Sequence, residues 1–126
     1  MKHPERIEDY LEHIAQAIDR AAGYLEPVPS MEAFEKNPQV QDAVIRNVEI
    51  IGEAVSKIQK QAPEFVIAHP EVPWSDMRGM RNKVIHGYFD VELPVVWSTV
   101  KGDLPKLKQQ IDRLLVDMKR YPNREP

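Results

Sequence analysis

The sequence predicts an all-α protein, an up-down bundle of four to five helices with antiparallel neighbours. Apolar residues recur at spacings of three and four along most of the chain, as on the buried face of an amphipathic helix. No stretch alternates apolar and polar residues for more than a few positions, and no Asn-Gly or Asp-Gly hairpin turn occurs. Prolines divide the chain into segments of helical length.

Prolines and capping residues set the expected helix boundaries. Residues 91–96 are β-prone by propensity, but Pro94 disfavours a strand, so we expect a helix there. We expect a bend at Gly102, with Asp103 capping the last helix. The expected elements are a helix from about Pro4 to Leu25, a turn over Met31–Lys36 capped by Ser30, a helix from Asn37-Pro38 to about Gln61, a turn over Glu64–Ala68, a helix from Pro73-Trp74 to near Tyr88, a helix after Asp90, and a helix ending near Met118.

Composition places the chain among globular proteins. With 126 residues, 42% hydrophobic and 29% charged, it is long enough to bury a core as one domain over residues 1–126, frayed at 1–3 and 121–126. No apolar run is long enough for a membrane span. The absence of cysteine excludes disulfides and thiolate metal sites, so we expect a cytoplasmic protein with no membrane partner. A net charge of −3 argues against broad nucleic-acid coating, so any RNA site must be local.

The segment Met77–Tyr88 carries a local excess of positive charge. It holds three basic residues and no acidic one, although the whole chain sums to −3. A titratable imidazole lies in the same segment, and an imidazole beside guanidinium groups suits phosphate chemistry. The polar residues concerned are Arg78, Arg81, Asn82, Lys83, His86 and Tyr88.

The spacing of these residues suggests a site shared between subunits. If the segment is helical to its end, Asn82 and His86 lie one above the other, whereas Arg81 lies roughly 140° around the helix from His86. One small pocket within one chain would not easily receive both groups. Two copies related by a two-fold axis would bring them together.

An imidazole with guanidinium groups and no neighbouring carboxylate suits metal-free cleavage of RNA. A neutral His86 can take the proton of the 2′-hydroxyl as it attacks the adjacent phosphate. Arg81 can stabilise the charge that develops on the phosphate, because its planar fork grips two oxygens. The lack of acids in the segment disfavours a magnesium-dependent nuclease, so we expect no metal and no cofactor.

A second polar cluster lies at Arg46–Glu53. Arg46, Glu49 and Glu53 fall on one helical face, so Arg46 can pair with Glu49. Gly52 inside a helix costs roughly 1 kcal/mol relative to alanine, which indicates a close approach of another helix. We call the helix expected from Pro73-Trp74 to near Tyr88 the motif helix. We expect the face with Arg46, Glu49 and Glu53, and Asn47 with it, to be turned toward the motif helix or a partner subunit.

The chain resembles a known family at these two blocks. Arg81-Asn-Lys-Val-Ile-His86-Gly-Tyr88 resembles the motif of the HEPN superfamily, in which four residues separate Arg from His and one residue separates His from Tyr. Pro73-Trp74, Met80, Phe89-Asp-Val and Arg46-Asn47…Ile51-Gly52-Glu53-Ala54 resemble its HepT-like toxin branch. The resemblance covers about Ile7 to Leu115. It implies a single HEPN-like helical domain that forms a two-fold homodimer, with the motif helices facing each other across a cleft.

The resemblance also implies an activity and a partner. HepT-like proteins are metal-independent endoribonuclease toxins that act on RNA, and each is paired with an MNT-type nucleotidyltransferase antitoxin. The antitoxin silences the toxin by transferring AMP to the motif tyrosine, here Tyr88. Carried onto this sequence, the resemblance makes Arg81 and His86 catalytic, Asn82, Arg46 and Glu49 supporting, and Arg78 and Lys83 RNA-binding.

Two other functions fit the same residues. The first is a non-catalytic HEPN partner of a nucleotidyltransferase, whose arginines bind nucleotide or RNA and present Tyr88. The second is a structural dimer whose polar motif fixes the register of the subunits. Each residue alone also has an ordinary explanation, since a His before Gly commonly ends a helix and isolated arginines are commonly solvated. The imidazole of His86 favours the enzyme, because a binding module would not need it.

Overall fold

In the computed structural model, which describes residues 6–87 and 90–120, the chain is an all-α bundle with one small hairpin, so the predicted fold class is confirmed. The described residues form seven α-helices, a π-helical turn and two short antiparallel strands. In chain order they are α1 (Ile7–Leu25), α2 (Met31–Glu35), α3 (Pro38–Gln61), α4 (Pro63–Ala68), α5 (Trp74–Val84), β1 (Ile85–Gly87), β2 (Asp90–Val91), α6 (Leu93–Ser98), the π turn (Thr99–Asp103) and α7 (Leu104–Arg120).

The core lies where α1 and α3 pack along each other. Helix α5 packs on α3, and α7 packs on α1. The helices meet through fully buried aliphatic side chains at helical spacing, each of which stabilises the fold by roughly 1.5–3 kcal/mol. These include Leu11, Ile14 and Leu25 of α1, Val44, Val48, Ile51, Val55 and Ile58 of α3, Met77 and Val84 of α5, and Leu104 and Ile111 of α7.

The helix starts agree with the predicted caps. The Ser30 hydroxyl accepts a hydrogen bond from the backbone N–H of Ala33 at 3.1 Å, and α2 follows it. The Asn37 side chain accepts from the N–H of Val40 at 3.2 Å, and α3 follows with Pro38 in its first turn. In both cases a side-chain oxygen satisfies an N–H group that has no partner inside the helix.

The start of α5 is fixed by Trp74. The indole is buried and donates from Nε1 to the carbonyl of His69 at 3.0 Å. Met77, Met80 and Val84 continue the same buried stripe toward the end of the helix. Helix α5 is therefore held in the bundle by this stripe, chiefly against α3, and its polar residues lie on the remaining faces.

The end of the motif helix differs from the prediction. Helix α5 stops at Val84 and does not continue to Tyr88, because Ile85 is extended at φ −118° and ψ 112°. Residues 85–87 instead pair with Asp90–Val91, and the N–H of Glu92 donates to the carbonyl of Val84 at 2.8 Å. The β-branched residues Ile85 and Val91, which lie opposite each other, favour this pairing. The expectation of no strand was therefore wrong here, although the second strand does end before Pro94.

The predicted bend at Gly102 is also absent. The chain stays helical from α6 through the π turn into α7, and the N–H of Leu104 bonds to the carbonyl of Thr99, five residues earlier. Asp103 therefore does not cap a new helix. The wider turn accommodates Pro105, whose ring would otherwise press on the carbonyl four residues before it. It also keeps both Val100 and Leu104 in the core.

An ion-pair group joins α7 to α1. The Lys108 ammonium lies 3.1 Å from a carboxylate oxygen of Asp19 and 3.1 Å from one of Asp112. Burial lowers the pKa of Lys108, but the hydrogen bonds and charges of Asp112 and Asp19 outweigh it, so the pKa is raised above its usual value. Among the helices of the described ranges, none combines the length and the apolar character that a membrane span requires.

Candidate functional site

The second polar cluster faces the motif helix, as its glycine predicted. A Cβ atom added at Gly52 would lie 3.2 Å from the carbonyl oxygen of Arg78 and 3.7 Å from that of Met77. Few real side chains tolerate such a distance to backbone. Glycine therefore lets α3 and α5 approach closely, and this approach places Glu49 and Arg81 on facing helices.

Arg81 is paired across the helices, and the predicted pair of Arg46 with Glu49 is wrong. The Nε atom of Arg81 lies 3.7 Å from Oε2 of Glu49. Arg46 instead lies 3.7 Å from Glu53, about two turns further along its own helix. Both partners of the α3–α5 pair remain accessible, with 48% of the Arg81 side chain and 35% of the Glu49 side chain exposed. Glu49, which we expected to pair with Arg46, thus orients Arg81.

An open cleft of about 460 Å³ lies between α3 and α5. Arg81 donates from Nη1 to the side-chain oxygen of Asn82 at 3.5 Å, so these two predicted site residues are brought together. Arg78 donates from Nη1 to Gln59 at 3.0 Å. We call this feature the α3–α5 cleft; its lining residues are Glu49, Gly52, Glu53, Ser56, Arg78, Arg81 and Asn82.

His86 lies beyond the end of α5, on strand β1. Its Nε2 atom is 2.5 Å from Oε2 of Glu92, and 41% of its side chain is exposed. The predicted stacking of Asn82 under His86 on one helical face is wrong, because the helix ends at Val84. His86 is not among the residues that line the α3–α5 cleft. Within one chain, the imidazole and the guanidinium groups therefore belong to adjacent elements, β1 and α5.

Glu92 is the residue at this site that the sequence prediction missed. The motif segment contains no acid, and from this we expected an imidazole without a carboxylate neighbour. The hairpin overturns that expectation, because it returns the chain so that a residue six positions later contacts His86. The signal that could have found it is the set of β-branched and aromatic residues on both sides of Gly87, which predicts a hairpin when its strand propensity is weighed; these are Val84, Ile85, Tyr88, Phe89 and Val91.

Lys83, a predicted site residue, and Asn47, which was expected to share the face of the second cluster, lie elsewhere. Lys83 lines a separate groove of about 520 Å³ between α5 and α7, together with Lys106 and Asp76. Asn47 is buried against α1 rather than turned toward the motif helix, and donates to the carbonyl of Ala43 at 2.8 Å. Helical geometry explains both positions, since neighbouring residues point in different directions.

Tyr88, the predicted site of modification, lies outside the described residues. Among the residues that the structure does describe, no three His, Asp or Glu side chains converge in a group that could hold a metal ion. The carboxylates of Glu49 and Glu92 nevertheless contradict the predicted absence of acids near the site, so the expectation of metal independence now rests on the family resemblance alone.

Comparison with known proteins assigns residues 7–114 to a family described as "Ribonuclease HepT-like". A protein of Thermococcus cleftensis named "Probable ribonuclease HepT" is 44% identical over 106 residues, which cover 84% of this chain and 93% of that protein. A Caldanaerobacter subterraneus subsp. tengcongensis protein, named as a candidate RNase, is 41% identical over 110 residues, covering 84% and 91% of the two chains. A Methanocaldococcus jannaschii protein with the same kind of name is 34% identical over 116 residues, covering 91% and 93%. No solved structure matches the chain significantly.

Proposed function

Because this chain belongs to the HepT-like ribonuclease family, we propose that it is a metal-independent endoribonuclease that acts through His86 and Arg81. The observation that carries the proposal is the state of Arg81. Its guanidinium is half-exposed at an open cleft and is oriented from the Nε side by Glu49. Its outer nitrogens can therefore reach a phosphate while Glu49 holds the group in place.

The reaction is an attack of the RNA 2′-hydroxyl on the adjacent phosphorus. Neutral His86 takes the hydroxyl proton, the bond from O2′ to phosphorus forms, and the bond from phosphorus to the 5′-oxygen breaks. The leaving oxygen takes a proton from water. Arg81 stabilises the negative charge of the five-coordinate transition state, with Asn82 beside it. The products carry a 2′,3′-cyclic phosphate and a 5′-hydroxyl.

The remaining polar residues have proposed roles around this centre. Arg78 lines the same cleft and supplies a second phosphate contact. Glu49 orients Arg81, and Arg46 holds Glu53 at the adjacent position on α3. Lys83 lies in the α5–α7 groove, so it would contact RNA outside the cleft.

We further propose that the protein acts as a homodimer and as the toxin of a toxin–antitoxin pair. Two-fold symmetry would let the cleft of one subunit face the hairpin of the other, which supports a shared site. The antitoxin would be an MNT-type nucleotidyltransferase that transfers AMP to Tyr88. An AMP group two residues from His86 would add bulk and negative charge, and so repel an RNA phosphate.

The test is RNA cleavage by purified protein in excess EDTA. Intact mass is measured first, to select protein without AMP. We expect wild type to cleave and to leave 2′,3′-cyclic phosphate ends, whereas His86→Ala loses at least about a hundredfold in rate, as expected for removal of a general base. His13→Ala, which alters a histidine on α1, is the control and should cleave normally.

Each contrary result has a distinct meaning. Equal rates for wild type and His86→Ala would remove His86 from the mechanism. Loss of cleavage in EDTA, with recovery on adding Mg²⁺, would contradict metal independence. If unmodified wild type binds RNA but cleaves none, the protein is the non-catalytic HEPN partner instead.

A further inference from the structure

We propose that Glu92 is a positioning residue for His86, an inference that rests on the proposed ribonuclease function. The carboxylate oxygen Oε2 lies 2.5 Å from Nε2 of the imidazole. An ionised carboxylate can only accept a hydrogen bond, so Nε2 must be the nitrogen that carries the proton. The lone pair of the neutral ring is then on Nδ1, and Nδ1 is the atom that takes the proton of the RNA 2′-hydroxyl.

The backbone holds Glu92 in place on both sides. Its N–H donates to the carbonyl of Val84, the last residue of α5, at 2.8 Å. Its carbonyl accepts from the N–H groups of Val95 and Val96 at 3.0 and 3.1 Å, at the start of α6. The side chain is therefore attached to a backbone point that is held between α5 and α6.

The side chain of Glu92 has no capping role at the start of α6. Glu92 is the residue before α6 and makes no capping hydrogen bond, in keeping with the preference of that position for Ser, Thr, Asp or Asn. Its carboxylate contacts His86 instead. The helix start is thus left without a side-chain cap while the imidazole has a partner.

His86 itself occupies an irregular point in the hairpin. Ile85 is paired with Val91 and Gly87 with Asp90, so one residue of β1, His86, has no counterpart on β2. Such a bulge twists the strand locally and changes the direction of a side chain. The bulge and the Glu92 carboxylate together fix both the direction of the ring and its tautomer.

The pair has a defined effect on the reaction. When Nδ1 accepts the proton, the ring becomes an imidazolium ion with Nε2–H still directed at Glu92. The positive charge therefore forms beside a carboxylate, which stabilises it. An imidazole held in this way needs no reorientation before it reacts, and pre-organisation of this kind affects kcat more than KM.

The chain provides a matched control for the test. His69 and Glu71 form another histidine–carboxylate pair, with Nδ1 of His69 3.5 Å from Oε2 of Glu71. We compare Glu92→Gln with Glu71→Gln, measuring kcat and KM for RNA cleavage and the thermal unfolding of each variant. Glutamine keeps the size of the side chain, and Glu92 is half-exposed, so Glu92→Gln should fold normally.

We expect Glu92→Gln to lower kcat by about 10–100-fold with KM changed less than about threefold, by analogy with the loss of a hydrogen-bonded partner from a metal-ligating histidine. Glu71→Gln should leave both constants unchanged. A Glu92→Gln enzyme with wild-type kcat, or one in which only KM rises, overturns the positioning role. The rate of His86→Ala tests the proposed function separately. Failure of wild type itself to cleave RNA would count against the proposed function and not against the contact.

A measurement on wild type alone keeps the proposal testable if the variant is unstable. Nitrogen-15 NMR of the histidine rings distinguishes the two neutral tautomers. We expect His86 to be protonated on Nε2 only, and the Glu92→Gln ring to show both tautomers, because an amide can either donate or accept. A wild-type His86 protonated on Nδ1 would overturn the proposal.

Discussion

Arg81 lines the α3–α5 cleft, and most of its N–H donors have no partner among the described residues. A guanidinium carries five N–H donors. Among the described residues, Arg81 makes one hydrogen bond, of 3.5 Å to Asn82, and one ion pair, of 3.7 Å to Glu49. Both distances are long for an arginine that stabilises the fold, and exposed pairs of this kind contribute less than about 1 kcal/mol. The residue is therefore better placed to bind an anion than to hold the helices together.

Replacing Arg81 by lysine separates charge from shape. Lysine keeps the positive charge but cannot grip two phosphate oxygens in a fork. We expect Arg81→Lys to lower kcat/KM for RNA by about 10–100-fold, the loss of one bidentate transition-state contact, with little change in thermal unfolding. The control is Arg113→Lys, an exposed arginine on α7. Wild-type kinetics in Arg81→Lys would show that the position supplies charge alone.

The residues of the site were only partly predictable from the sequence. Gly52 could be assigned to a close helix contact because a glycine inside a helix needs a reason, and the structure confirms it. Partners were harder to predict. Arg46 had two acids at helical spacing, and only the position of α5 decides that Glu49 pairs with Arg81. The contact of Glu92 with His86 depends on a hairpin that helical periodicity conceals.

At the scale of elements, the site depends on how closely α3 and α5 approach. Helix α5 carries Arg78 and Arg81, and α3 carries Glu49 on the facing side. Gly52 sets the distance between them, since its missing side chain is what admits the Arg78 carbonyl. A change at Gly52 would therefore alter the width of the cleft without altering any polar residue in it.

Gly52→Ala tests this arrangement. Alanine favours a helix by about 1 kcal/mol over glycine, but its Cβ atom would lie 3.2 Å from a backbone carbonyl in a packed helix. We expect the overpacking to dominate, with the free energy of unfolding lowered by about 1 kcal/mol and RNA cleavage slowed. Gly23→Ala in α1 is the control, because a Cβ there meets nothing within 4 Å, and it should stabilise the protein. Stabilisation by both changes would mean that α5 moves aside easily.

The elements themselves were more predictable than the motif segment. Ser30 and Asn37 are capping residues followed by apolar residues at helical spacing, so local chemistry alone sets where α2 and α3 begin. The end of α5 is different, because residues 85–87 would suit a helix or a strand, and pairing with Asp90–Val91 decides between them. The π turn depends likewise on burying Val100 and Leu104 together.

At the scale of the whole molecule, the proposed catalytic groups lie on different elements. Arg81 lines the α3–α5 cleft, and His86 lies on the hairpin beyond the end of α5. The sequence suggested a shared site from helical angles, but the helix ends before His86. The proposed dimer therefore rests on the two groups lying on different elements, since α5 ends between Arg81 and His86.

Mixing two inactive variants tests whether the site is shared between subunits. If each active site takes Arg81 from one subunit and His86 from the other, an Arg81→Ala chain paired with a His86→Ala chain forms one intact site and one doubly altered site. Random pairing makes about half of the dimers mixed, so equal co-refolding should restore roughly a quarter of the wild-type activity. If both groups come from the same chain, every site lacks one of them and the mixture stays inactive. Mixing Arg81→Ala with an Arg81→Ala, His86→Ala double variant is the control, because no pairing of these chains contains an Arg81 and activity must stay absent.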